Sequence, residues 1–90
     1  MNHAIIIDDE QHCIESLSNL LHEEFSDKIE LSETATTVEE GINLIGSEGP
    51  ELVFLDVQIG DKTAFELLRE LNEINFQIIF TTAFEKYAIQ

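Results

Sequence analysis

The chain has 90 residues, with 19 Asp or Glu against 4 Lys or Arg, and a formal net charge of −15. This balance excludes phosphate neutralisation by clustered basic side chains, so we expect no direct nucleic-acid contact by this segment. It also disfavours binding to an anionic membrane surface. Apolar residues make up 43% of the chain, which indicates a folded protein, and the length suits one small domain.

The sequence carries no membrane-spanning pattern and no signal peptide. Its longest apolar runs, residues 4–7 and 52–55, are far shorter than the about 20 residues that a spanning helix needs. The first residues lack the basic region and the long apolar stretch of a leader. Cys13 is the single cysteine, so no internal disulfide can form. We therefore predict a cytoplasmic protein.

Short apolar runs alternate with helical patterns along the first half of the chain. Residues 4–7 are an unbroken run rich in isoleucine, which predicts a strand buried on both faces. Apolar residues at helical spacing predict a helix over residues 11–25. Residues 29–34 alternate and predict a second, more exposed strand. The residues expected on one face of that strand are Ile29, Leu31 and Glu33.

A capping-box pattern of Thr37 and Glu40 predicts the start of a second helix. Gly41 lies inside this helix, where glycine costs about 1 kcal/mol relative to alanine, so we expect it to permit close approach to the sheet. The residues expected to end the helix are Gly46, Gly49 and Pro50.

The second half repeats the alternation. Residues 52–55 predict a third buried strand, Thr63 and Glu66 form another capping-box pattern before a third helix, and residues 76–80 predict a fourth strand. Phe84 begins a further helical pattern. The residues that the third helix should present to a core are Ala64, Leu67, Leu68, Leu71 and Ile74.

This order of strands and helices predicts a doubly wound α/β fold with a parallel sheet and helices on both faces. Ligands of such sheets bind at the carboxyl ends of the strands. Asp8 and Asp9 follow the first strand, Asp56 follows the third and Thr82 follows the fourth. We expect these groups to converge if the first and third strands are neighbours. Clustered carboxylates either keep protons or bind a hard cation, and Mg²⁺ fits best.

A simpler interpretation of a single Asp after a strand is that it caps the next helix, and Asp8 and Asp9 could do so.

The motifs IIIDDE (residues 5–10), LVFLD (52–56) and IIFTTA (78–83) together resemble the receiver domain of two-component response regulators. The resemblance implies a flavodoxin-like sheet of order 2-1-3-4. Residues 80–88 are further similar to the subgroup whose receiver precedes a LytTR DNA-binding domain.

The resemblance implies a role for each residue of the cluster. Asp56 would be the phosphoacceptor, and Asp9 and Asp56 would bind Mg²⁺ together with the backbone carbonyl of Gln58. Asp8 would hold a metal-bound water, and the hydroxyl of Thr82 would bond a phosphoryl oxygen. The implied partners are a sensor histidine kinase and an effector domain of the same protein, and the implied role is transcription regulation through a phosphorelay.

The chain departs from the family pattern at three points. Gly60 stands where the family commonly has Pro, and Ala64 stands where Gly is common. The family's essential Lys follows a fifth strand, and no lysine of this chain matches that position. We therefore expect residues 1–90 to be a receiver domain that is incomplete at its carboxyl end. An exposed fourth strand, or a swapped terminal helix, would then favour self-association.

Two other functions remain as alternatives. An aspartyl-phosphate hydrolase also places a nucleophilic Asp after a strand, but it needs a second acid at the position of Gln58. A pseudo-receiver would act as an interaction module without phosphorylation, which retention of the four site side chains argues against. His3, His12 and His22 lack metal-ligand spacing with Cys13, so we predict no zinc site.

Overall fold

The computed structural model describes residues 1–81. The elements in chain order are β1 Asn2–Ile7, α1 Gln11–Glu24, β2 Ile29–Ala35, α2 Val38–Glu48, β3 Leu52–Asp56, β4 Gln58–Ile59, β5 Lys62–Thr63, α3 Ala64–Arg69 and β6 Gln77–Thr81. Four of the strands form one parallel sheet in the order β2-β1-β3-β6, and a separate antiparallel pair is formed by β4 and β5. The predicted order 2-1-3-4 is confirmed, with β6 as the predicted fourth strand.

The two central strands, β1 and β3, supply most of the core. Because successive strand residues point to opposite faces, each strand contributes to two apolar layers. One layer contains Ile5, Ile7, Val53 and Leu55 and packs against α2 and α3. The other layer packs against α1 and consists of Ala4, Ile6, Ile14, Leu21, Leu52 and Phe54. The predicted burial of both strands on both faces is confirmed.

A register shift in β2 corrects the predicted strand face. Leu31 pairs with Ala4 but Glu33 pairs with Ile5, so the ladder passes over Ser32. Ala4 and Ile5 point to opposite faces, and Leu31 and Glu33 therefore do so as well. The prediction that Glu33 shares a face with Ile29 and Leu31 was wrong, because a bulge reverses the alternation.

The third helix is shorter than its apolar pattern predicted. It ends at Arg69, and the following amides of Glu70 and Leu71 donate to carbonyls three residues back. Ile74 is 48% exposed, so its predicted core position was wrong.

Glycines in and after α2 have the roles that the sequence suggested, with one correction. A Cβ built on Gly41 would lie 2.7 Å from Cδ1 of Ile7, which confirms the close approach of α2 to the sheet. Gly49 ends the helix in the left-handed conformation with φ of 55°. The helix continues through Gly46, which was expected to help stop it.

Candidate functional site

The carboxyl ends of β1 and β3 bring three carboxylates together. The strands pair side by side up to Ile7 and Leu55, so Asp8 and Asp9 emerge next to Asp56, the last residue of β3. Carboxylate oxygens of the three residues all lie within 4.8 Å of one another. The predicted convergence is therefore confirmed.

Two of these three carboxylates are buried and one is exposed. Asp56 is 4% exposed and Asp8 is 7% exposed, whereas Asp9 faces solvent. The backbone of Asp8 is fixed because its amide donates to the carbonyl of Ala35 at 3.0 Å. Its side chain accepts a hydrogen bond from the Glu10 amide at 2.9 Å. Glu10 itself is the N-cap of α1, without a side-chain cap, so the interpretation of Asp8 and Asp9 as helix caps was wrong.

The electrostatics of the cluster favour a cation. Burial raises the pKa of Asp8, and the charge of Asp9 raises it further, while the Glu10 amide lowers it in part. A cation nearby would stabilise the ionised form of Asp8, which burial and the charge of Asp9 disfavour. Three carboxylates supply the hard oxygen ligands that Mg²⁺ prefers, and this ion usually keeps several waters in its coordination shell. The residues present therefore fit a magnesium ion.

A small hairpin, absent from the sequence prediction, contacts the cluster at Asp9. β4 and β5 pair Gln58 with Thr63 and Ile59 with Lys62, which leaves a two-residue turn. Gly60 has a φ of 63°, and its amide donates to Oδ2 of Asp9 at 2.9 Å. A Gly-Asp dipeptide between two short segments is a hairpin signal that could have revealed this turn.

Gln58 takes part in the hairpin through its side chain. Its Nε2 donates to the carbonyl of Gly60 at 3.1 Å and to that of Lys62 at 3.2 Å. The residue is half-buried on β4, two positions after Asp56. The predicted role of its backbone carbonyl as a metal ligand remains a prediction.

The end of β6 adds a hydroxyl that the sequence prediction did not use. Thr81 is the pairing partner of Asp56 on the neighbouring strand β3. Its Oγ1 is buried and has no hydrogen-bond partner among residues 1–81. The predicted Thr82 and the helix expected from Phe84 onward lie outside the described residues.

A second group of possible metal ligands lies at the start of α1. Ligand atoms of Glu10, His12 and Cys13 lie within 4.8 Å of one another. The prediction of no zinc site stays a prediction. The three residues share one helix end and His12 is exposed, and we assign no ion to them.

Comparison with known proteins decides the family. A family model described as the response regulator receiver domain matches residues 4–90. The chain belongs to the response regulator receiver domain family. Solved receiver structures have the same fold. The response regulator domain of Thermotoga maritima CheB covers 97% of this chain and 64% of its own, with a TM-score of 0.80 and 11% identity.

A LuxR-family response regulator from Aurantimonas gives a similar match. It covers 91% of this receiver domain and 59% of its own chain, with a TM-score of 0.80 and 18% identity. Identities this low support the fold alone.

Curated relatives place this receiver domain within longer proteins. An uncharacterized response regulatory protein of Vibrio cholerae is 39% identical over 88 residues, which is 97% of this chain and 36% of that protein. The sensory transduction protein LytT of Bacillus cereus is 32% identical over 89 residues, or 97% of this chain and 35% of that protein. The chain thus spans about a third of the length of these relatives. Within residues 1–81, no helix is long and apolar enough to cross a membrane.

Proposed function

We propose that Asp56 accepts a phosphoryl group from a sensor histidine kinase and that Mg²⁺ assists the transfer. The observation that carries this proposal is the position of Asp56, buried at the end of β3 with its carboxylate beside Asp8 and Asp9. A receiver domain of a signalling protein needs such an acceptor, and the described residues gather three carboxylates at one sheet edge.

Each residue of the site has a defined task in the proposed transfer. Asp9, Asp56 and the carbonyl of Gln58 would bind the ion, and Asp8 would hold one of its waters. When bound, Mg²⁺ offsets the charge of the carboxylates and of the incoming phosphoryl group. Catalysis of phosphoryl transfer is mostly positioning and electrostatics, and the paired strands β1 and β3 position Asp56 and its neighbours. Thr82 would donate its hydroxyl to a phosphoryl oxygen.

The hydrolase alternative receives no support from the described residues. Such an enzyme needs an acid two residues after the nucleophile, and Gln58 stands there. Its amide is engaged with the backbone of the hairpin turn through Gly60 and Lys62. We therefore propose a signalling domain whose chemistry is limited to gaining and losing its own phosphoryl group. The pseudo-receiver alternative remains as an outcome of the test below.

The proposed output is a switch in an effector domain of the same protein. Relatives named sensory transduction protein LytT support an effector of the LytTR DNA-binding type. The acidic receiver itself, with its net charge of −15, would contact the kinase and the effector and not DNA. A cytoplasmic location and self-association remain predictions.

The proposal is tested by labelling the full-length protein. Incubation with Mg²⁺ and a small acyl-phosphate donor should add one phosphoryl group by intact mass spectrometry, and Asp56→Asn should abolish the gain. Undiminished labelling of Asp56→Asn would refute the acceptor assignment, and absence of labelling in the unmodified protein would favour a pseudo-receiver. Asp9→Ala should weaken Mg²⁺ binding in a calorimetric titration.

A further inference from the structure

The exposed carboxylate of Asp9 is held by a backbone amide that lies far away in the sequence. The amide of Gly60 donates to Asp9 Oδ2 at 2.9 Å, across 51 residues of chain. Asp9 follows β1 and faces solvent, unlike the buried Asp8 and Asp56. A solvent-exposed side chain that binds a metal must first be ordered, and ordering it costs free energy. A hydrogen bond already in place removes part of that cost.

Three kinds of contact hold the hairpin that carries this amide. Ile59 is 3% exposed and packs in the core. The side chain of Gln58 closes the hairpin turn with two hydrogen bonds to backbone carbonyls. Lys62 Nζ contacts Glu39 Oε2 on α2 at 2.9 Å. These contacts hold the Gly60 amide at a fixed point beside the acidic cluster.

The backbone conformation of Gly60 directs its N–H towards the Asp9 carboxylate. Its φ of 63° is left-handed, and no residue other than glycine among the described ones has a positive φ. A left-handed first residue in a two-residue hairpin turn is the pattern of a type II′ turn, which favours glycine. A Cβ built here meets no atom within 4 Å, so conformation and not space selects glycine. Proline at this position would have no amide hydrogen to donate.

We propose that Gly60 is a positioning residue for Asp9. Its N–H holds Oδ2, so the Asp9 carboxylate is oriented at the edge of the cluster before Mg²⁺ arrives. This inference rests on the proposed function of the cluster as a magnesium site. Hydrogen-bond partners of metal ligands typically contribute tenfold or more to metal affinity. Loss of the Gly60 N–H should therefore weaken Mg²⁺ binding about tenfold.

A matched pair of synthetic chains isolates this N–H. D-proline at position 60 locks φ near +65°, the mirror image of the angle in L-proline, and has no amide hydrogen. D-alanine at the same position also accepts positive φ but keeps the hydrogen. Both 90-residue chains would be made by chemical synthesis, and their urea unfolding compared to verify that the turn is intact. Mg²⁺ affinity is then measured by chemical-shift titration.

The expected result is about tenfold weaker Mg²⁺ binding by the D-proline chain than by the D-alanine chain, at equal stability. Equal affinities in the two chains would overturn the role of Gly60 and leave the proposed function intact. Failure of the unmodified chain to bind Mg²⁺ would instead reject the metal site, and this inference with it.

A second measurement tests the contact without metal. The Gly60 amide proton of the unmodified chain should exchange slowly with solvent, and Asp9→Ala should remove that protection. An amide that exchanges equally fast in both proteins would refute the hydrogen bond on which the inference depends.

Discussion

Replacing Asp8 with Asn should stabilise the protein in the absence of divalent cations. Asp8 is buried, and its carboxylate lies with those of Asp9 and Asp56 within 4.8 Å. Asparagine has nearly the same shape and retains an oxygen that can accept the Glu10 amide. The substitution therefore removes charge while leaving the packing and the local hydrogen bond in place.

The magnitude follows from the charge separation. Two unit charges that lie within 4.8 Å of each other repel by at least about 0.9 kcal/mol in a water-like medium and by at least about 3.5 kcal/mol at an effective dielectric constant of 20. Asp8 has two such neighbours. A hydrogen bond to a charged acceptor is worth about 1 kcal/mol more than one to a neutral acceptor, and that difference is lost. We expect a net gain of about 2 kcal/mol in the free energy of unfolding.

Urea denaturation at pH 7 without divalent ions measures this gain. Asp27→Asn is the matched control, because Asp27 is exposed, lies at the opposite edge of the sheet between α1 and β2, and loses the same charge. The control should change the free energy of unfolding by less than about 0.5 kcal/mol. Equal effects of the two substitutions, or a loss of stability with Asp8→Asn, would show that repulsion within the cluster is not a cost to the fold.

Three further predictions follow from other contacts. Gly41→Ala should cost about 1–3 kcal/mol in urea unfolding, and adding Ile7→Val should recover only part of it, because valine removes Ile7 Cδ1 at 2.7 Å but keeps the Cγ atoms at 3.2 and 3.3 Å. Asp8 binds its proton more tightly in the folded state than in the unfolded state, because folding raises its pKa. This contribution to the free energy of unfolding is fully present below pH 3.8 and is lost as pH rises through the folded-state pKa. The advantage of Asp8→Asn should therefore grow from pH 3 to pH 7 in unfolding measurements. Thr82→Ala should impair acyl-phosphate labelling, whereas Thr81→Val should leave it intact.

The central sheet and the acidic cluster were predictable because local patterns determined them. Unbroken apolar runs mark β1 and β3 as buried strands, and in a parallel sheet the residues after such strands meet at one edge. The side-by-side pairing of Ile7 and Leu55 then brings Asp8 and Asp9 to Asp56. No knowledge of loop geometry was needed for that convergence.

Features set by tertiary contacts were not predictable. The bulge at Ser32 reverses the alternation of side chains between the two faces of β2. The alternating pattern of the sequence does not show where such a bulge lies. The strands β4 and β5 have two residues each, too short for any periodicity, so only the Gly-Asp dipeptide of the turn could have indicated the hairpin. The hydrogen bond from the Gly60 amide to the Asp9 carboxylate joins residues 51 positions apart. It depends on the conformation of the hairpin turn and on the backbone positions of both residues.

Locating the phosphoryl group on the full-length protein tests the central claim most directly. After reaction with an acyl-phosphate donor and Mg²⁺, borohydride reduces an aspartyl phosphate to an alcohol, which peptide mapping assigns to one residue. The account predicts that Asp56 alone carries the modification, and that omitting Mg²⁺ removes it. Modification of Asp8 or Asp9 with Asp56 unchanged would contradict the account.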